Sequence, residues 1–246
     1  MRKYLIFICT VLLASCLNND FLERYPLGDP TAETAFETYD NFKAYAWGLY
    51  ETLPSLGYGS ENSTDDISYN QTSAPSESNW IRKLVTIPDK KDNTSWNYYS
   101  YIRRVNLMLD RIDGSKMTDV EKANWRSVGY FFRSYRYLSL LSAYGGVPWI
   151  DHVLSDDETE LIKGPRASRD EIAGHILEDL QFAEKNINVN GEGRNTINKA
   201  CVQALLSRFC LFEGTWRKYH GLNNAETYLR ECKRVSAELI QTYPNV

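Results

Sequence analysis

From residue 121 to residue 150 the chain reads EKANWRSVGYFFRSYRYLSLLSAYGGVPWI, and this run leaves few ways to fold. Trp125, Val128, Phe132, Tyr135 and Leu138 recur at three- and four-residue steps, which is one face of a helix. Tyr130, Phe131, Tyr137, Leu140 and Leu141 fall off that face and are apolar too. A helix that is hydrophobic nearly all round has to be enclosed nearly all round. Thr118 and Glu121 have the spacing of a capping box, so the helix should start there. Gly145 and Gly146 end it and Pro148 bars its resumption. The rest of the fold must wrap this element.

The flanking sequence supplies helices for that purpose and no strand alternation. Phe42, Tyr45, Ala46, Leu49, Tyr50 and Leu53 predict a helix over 39–53, stopped by Pro54. Tyr99, Ile102, Asn106 and Leu109 share a face of a helix over 95–112, with Ser95 as its cap. Asn106 lies on an apolar face, so burial obliges it to find a partner, a neighbouring loop backbone being the ordinary one. After a polar loop over 151–166, Ser168 and Glu171 form a second capping box, and Ile172, Ile176, Leu180, Ala183 and Ile187 continue the stripe. A Gly/Asn loop over 188–198 leads to a helix over 200–212, where Ala200 and Ala204 leave room for a close neighbour. Asn224 caps a last helix ending at Gln241, with Leu229, Cys232, Val235, Ser236 and Leu239 facing inward. The expected fold is all-α. The 118–144 helix pairs antiparallel with the 168–187 helix, the 200–212 helix pairs with the last one, and the pairs stack in a tetratricopeptide-like (TPR-like) way with long irregular loops.

The first fifteen residues read as an export signal. Arg2 and Lys3 precede a short apolar run, and Leu13-Ala14-Ser15-Cys16 places small residues before a cysteine. That is a bacterial lipobox, with Cys16 as the lipid-bearing mature N-terminus, or else an ordinary secretory signal with an incidental cysteine. Residues 16–35 then form a polar, proline-containing tether, and 36–246 the helical domain. Cys201, Cys210 and Cys232 remain, with no CxxC pair to hold zinc; they are small buried residues, or Cys201 or Cys210 bridges Cys232 after export.

Catalytic patterns are missing from the sequence. It has no HExxH, GxSxG or Walker A run. His175 and Asp179, one turn apart, could meet, but no nucleophile stands near them in sequence. Arg133 and Arg136 face solvent or are buried beside carboxylates. Asp156-Asp157-Glu158 is a solvated turn or, less simply, a calcium loop. A net charge of −4 without a basic block argues against nucleic acid as partner. No metal or cofactor is expected. Binding fits better. With 17 Tyr and 6 Trp the chain is rich in flat side chains that carry a polar handle and serve cores and wet surfaces alike. The aperiodic stretch over 55–95 and the helix start after it combine such rings with hydrogen-bonding groups: Asn79, Trp80, Arg82, Asp92, Asn93, Trp96 and Tyr98. Asn79, Trp80, Arg82, Trp96 and Tyr98 are the ligand-binding candidates. Trp80 is either a satellite-core anchor or an exposed stacking platform, and Trp96 either packs the helix start or meets ligand.

The same stretches resemble the SusD/RagB family of Bacteroidetes surface lipoproteins. FFRSYRYLSLLSAYGGVPWI resembles the family's arginine-containing aromatic helix that runs into Gly-Gly-Val-Pro. Gly48-Leu49-Tyr50, the Trp96–Ile102–Asn106 helix, Arg166-Ala167-Ser168 and Gly193-Arg194-Asn195-Thr196 follow in the family's order, after the lipobox and the proline-containing tether. The resemblance implies a lipid-anchored protein on the outer membrane, mostly helical, that captures glycans, or in some members peptides. It also implies a SusC-like TonB-dependent transporter as partner and no enzymatic activity. Family members are considerably longer, so the chain corresponds to their N-terminal part, as a fragment or a natural truncation. The alternative that follows is a TPR-like interaction module that contacts the transporter without binding sugar.

Overall fold

The computed structural model describes residues 34–53 and 98–244. These residues form seven α-helices: α1 (Tyr39–Leu49), α2 (Tyr98–Arg111), α3 (Asp119–Tyr144), α4 (Thr159–Lys163), α5 (Arg169–Asn186), α6 (Lys199–Tyr219) and α7 (Ala225–Thr242). Short 3-10 turns lie at Thr34–Phe36 and Tyr50–Thr52, and there is no strand among the described residues.

Helix α3 is the buried axis that its sequence demands. Thr118 and Glu121 make the capping box in both directions, the Thr118 N–H donating to Glu121 Oε2 at 2.8 Å. Gly145 ends the helix at φ 72°, a backbone state that suits glycine. Trp125, Phe132, Tyr137, Leu140 and Leu141 are buried. Helix α2 covers one flank, antiparallel: Arg126 pairs with Asp113 near one end and Tyr137 meets Tyr99 edge-on near the other. Helix α5 covers another flank, also antiparallel, with Tyr130 against Phe182 and Arg133 bonded to Asp179. The same reversal continues outward. Gln203 of α6 bonds Glu184 of α5 while Arg169 bonds Glu213, and Ser207 of α6 bonds Ser236 of α7 while Gly214 abuts Leu229. Each helix therefore leans mainly on its sequence neighbours, as in a TPR-like stack.

The recurring motifs act as fasteners. Asn106 lies within α2, and its Nδ2 donates to the carbonyls of Ile150 and His152 at 2.9 and 3.1 Å. The Tyr99 hydroxyl donates to Pro148 O at 2.7 Å, and the Ile150 N–H donates to the Tyr137 hydroxyl at 2.7 Å. The extended exit after Gly-Gly-Val-Pro is thereby tied across α2 and α3. In the 188–198 loop, Thr196 Oγ1 accepts from the Glu192 N–H and donates to Gly193 O. Glu192 in turn accepts from the Tyr39 hydroxyl of α1, from Asn124 of α3 and from Asn188.

Several local expectations need correction. Helix α6 does not stop at Phe212 but continues to Tyr219. A Cβ on Gly214 would stand 2.8 Å from Leu229 Cδ2 and 3.2 Å from the Leu229 nitrogen, so the absent side chain is what lets α7 approach there. Ala204 does not provide that approach, since it is exposed. Helix α1 stops at Leu49 and tightens into the 3-10 turn, and the 151–166 loop contains α4. Ser168 accepts from the Glu171 N–H without the reciprocal bond, and Asn224 precedes α7 at φ 64° with no side-chain cap bond. Tyr228 is the aromatic that α7 buries most deeply, and it was not among the residues predicted to face inward. The three cysteines among the described residues are free thiols.

The Gly214 contact gives a direct test. Gly214→Val should destabilise the chain by about 1–3 kcal/mol, because the added carbons can be housed only by pushing α7 away. The small rise in helix propensity offsets little of this. A fall in the urea midpoint is the expected reading, and an unchanged midpoint would show that α7 moves aside freely.

Candidate functional site

Of the five ligand-binding candidates, Tyr98 falls within the described residues, while Asn79, Trp80, Arg82 and Trp96 lie outside them, as does Cys16. Tyr98 opens α2 and is half-buried. Its ring does not stand alone. The Arg136 guanidinium of α3 lies 4.8 Å from the Tyr98 centroid, 4.7 Å from Tyr101 and 5.5 Å from Tyr135. The helical repeat sets this up: Tyr98 and Tyr101 are three apart, so both rings project from one side of α2 toward the antiparallel α3. A guanidinium over electron-rich ring faces is held by the ring quadrupole, more strongly where water is partly excluded. Arg136 Nη2 also donates to the Thr52 carbonyl, which fastens the end of the first helical segment to the same cluster. The result is a patch of three tyrosines organised around one cation, adjoining the chain position of Trp96. The expectation that Arg136 faces solvent or sits beside a carboxylate is replaced by this arrangement. Sequence reasoning missed Tyr101 and Tyr135, although the Tyr98/Tyr101 spacing carried a signal.

Several other charged and aromatic groups serve the scaffold. Arg133 Nε and Nη2 reach the two Asp179 oxygens at 2.8 Å each, and both side chains are nearly fully buried. Burial pushes the Asp179 carboxyl up, and the facing guanidinium opposes that push. Asp179 therefore partners Arg133 and not His175. His175 stacks on Trp149 at 4.3 Å and 14°, and Tyr137 packs on Trp149 at 4.3 Å. Trp149 is thus a packing residue, although it borders an open cavity of about 480 Å³ with Pro148, Leu161, Pro165 and Glu171. Glu213, fully buried, bonds Arg169 and Arg217. His220 stacks on Trp216 at 4.0 Å. Among the described residues no three metal-ligating side chains converge, and no helix is long and apolar enough to cross a membrane.

Comparison with known proteins agrees with this architecture. A SusD-like family model, described as starch-binding associating with outer membrane, matches residues 20–211. A SusD-like protein of Formosa agariphila, P38, is 26% identical over 76% of this chain and 37% of its own length. A SusD-like protein of Bacteroides ovatus is 23% identical, over 99% of this chain and 46% of its own. Among solved structures, a SusD-like protein of Bacteroides fragilis superposes with a TM-score of 0.65 at 24% identity, covering 88% of this chain and 40% of that one. A SusD-like carbohydrate-binding protein of Bacteroides vulgatus gives 0.58 at 21% identity, covering 84% and 45%. The chain spans less than half the length of these relatives.

Proposed function

The chain belongs to the SusD-like family, and we propose on that footing that it is a glycan-capturing lipoprotein of the outer membrane. It is a binding protein and not an enzyme. The observation that carries this reading is the family match over residues 20–211. Cys16 bears the lipid anchor, residues 1–15 are the export signal, and 16–35 are the tether to the helical domain. The protein acts with a SusC-like TonB-dependent transporter in the uptake of oligosaccharides or polysaccharides.

Ligand contact is assigned to Asn79, Trp80, Arg82, Trp96 and Tyr98. The Tyr98–Arg136 cluster supports this placement, because it presents aromatic surface and a guanidinium where the chain re-enters the helical scaffold. Sugars are held by ring faces against their C–H groups and by polar groups at their hydroxyls, and a rigid mixed patch supplies both.

The full chain should be retained on immobilised polysaccharides. Trp80→Ala, Trp96→Ala and Tyr98→Ala should each weaken that retention about tenfold, the scale of a binding hot spot, with helical circular dichroism unchanged. Retention that survives all three changes would move the site elsewhere. The second reading is a TPR-like module that contacts the transporter without binding sugar, or one that captures peptide. Its support is the antiparallel stack of neighbouring helices, an architecture that presents extended binding surfaces. Failure to bind any polysaccharide, together with co-purification of the transporter, would select the module.

A further inference from the structure

The segment leaving α3 holds an imidazole between two carboxylates. His152 Nδ1 lies 2.8 Å from Asp151 Oδ1, and Nε2 lies 2.7 Å from Glu158 Oε1. An ionised carboxylate offers only acceptors, and a neutral imidazole offers one donor. Two contacts this short therefore need a proton on each ring nitrogen. A neutral ring would set a lone pair against one of the carboxylates and lose that contact.

The two contacts are not equivalent. Asp151 is the chain neighbour of His152, so bonding it closes nothing. Glu158 lies six residues on, and its Oε2 also accepts from the Ser155 N–H at 2.7 Å and from the Ser155 hydroxyl at 2.9 Å. The Ser155 N–H, His152 and the Ser155 hydroxyl together hold the Glu158 carboxyl at about 2, so it stays ionised. The His152–Glu158 bond thus gathers 152–158 into a closed loop. That loop is tied to α2 by Asn106, which donates to His152 O, and by Asp110, which accepts from the Val153 N–H at 2.8 Å. Ile150, His152 and Leu154 lie over Tyr99, Ile102 and Arg103 of α2, with a cavity of about 170 Å³ between them.

We propose that residues 154–158 form a pH-operated arm beside this cavity, pinned to His152 through Glu158 while both ring nitrogens carry protons and loosened when the ring is neutral, whereas 150–153 stay tied to α2 and α3. The charged groups around the ring are Asp151 beside it in the chain, Glu158 on the arm, Asp110 and Arg103 on α2, and Arg133 on α3, whose Nη1 donates to Asp151 O. Arg133 is already paired with Asp179, and the two carboxylates bonded to the ring set the sign. Asp151 first, then Glu158, raise the His152 value above its ordinary one. A raised value in the folded chain means that the pinning is complete below the unfolded value of about 6.5. It is lost as the pH climbs through the folded value above that.

The test is an NMR titration of the His152 ring in the full chain, with amide exchange read at Val153 and Ser155. The ring should titrate above about 6.5. Protection of the Ser155 amide should drop about tenfold through the same pH, the scale of one charged hydrogen bond, beyond the base-catalysed slope that every amide shares. His152→Asn should abolish that step, and Glu158→Gln should move it to lower pH. A ring titrating at or below the ordinary histidine value would overturn the proposal. So would Ser155 protection that follows the same curve in the parent chain and in His152→Asn.

Discussion

Replacing Asp179 with alanine is expected to cost the fold about 3–5 kcal/mol, among the largest losses any single side chain here can cause. The Arg133 guanidinium lies inside the molecule between α3 and α5, with two parallel bonds to Asp179 as its main compensation for lost water. Its remaining partners are weak or peripheral: the Tyr130 and Trp149 rings at 4.7 and 5.1 Å, and the Asp151 carbonyl at 3.2 Å. Removing the carboxylate strands a buried cation, and the desolvation penalty is then uncompensated. The paired change Arg133→Met with Asp179→Leu should recover most of the loss, because a pair of apolar side chains needs no compensation. Chemical denaturation of the two variants decides the matter. A loss below about 1 kcal/mol for the single change would show that water reaches the guanidinium.

Trp125→Ala should lose a similar amount, about 3–5 kcal/mol, for a different reason. The indole is 1% exposed and packs its ring 5.1 Å from Tyr39 of α1, so its removal leaves a cavity where α1 meets α3. The indole N–H has no hydrogen-bond partner. Trp125→Phe should therefore be much milder than the alanine change, since it keeps most of the ring volume and deletes an unpaired buried donor. A thermal melt of the two variants separates the volume effect from the polar one; equal losses would mean that retained ring volume does not protect the site.

How far the chain could be read from its letters depended on distance along it. The span and ends of α3 were legible because the capping pair, the apolar repeat and the Gly-Gly stop all lie within its own neighbourhood. The partner of Asp179 was not: a local rule pointed to His175, whereas the buried guanidinium comes from Arg133, 46 positions away. The cage around Arg136 was hidden for the same reason, since its rings come from α2 and α3 and its carbonyl from Thr52. Gly214 carried no signal of its own, since only the presence of α7 reveals it as a contact point. Asn106 was read correctly down to the kind of partner, a loop backbone, because a buried amide has few alternatives. The candidates Asn79, Trp80 and Arg82 belong to an aperiodic stretch, where no repeat constrains what each side chain meets, and Trp96 stands at the helix start beside it.

The fastening of Tyr39 to Glu192 bears on the order in which the chain assembles. That bond joins positions 153 residues apart, whereas the helix-on-helix contacts from α2 to α7 are made mainly between helices close in sequence. Near contacts form quickly, and distant ones wait on the entropy of closing a long loop. The hairpins of α2 with α3, α3 with α5 and α6 with α7 should therefore form early. The receptor for Tyr39, built from Asn124, Asn188 and Glu192, exists only once α3 and α5 have met. Helix α1 is thus the last of these elements to join and the first to detach, which makes the amino-terminal edge of the bundle its natural point of fraying.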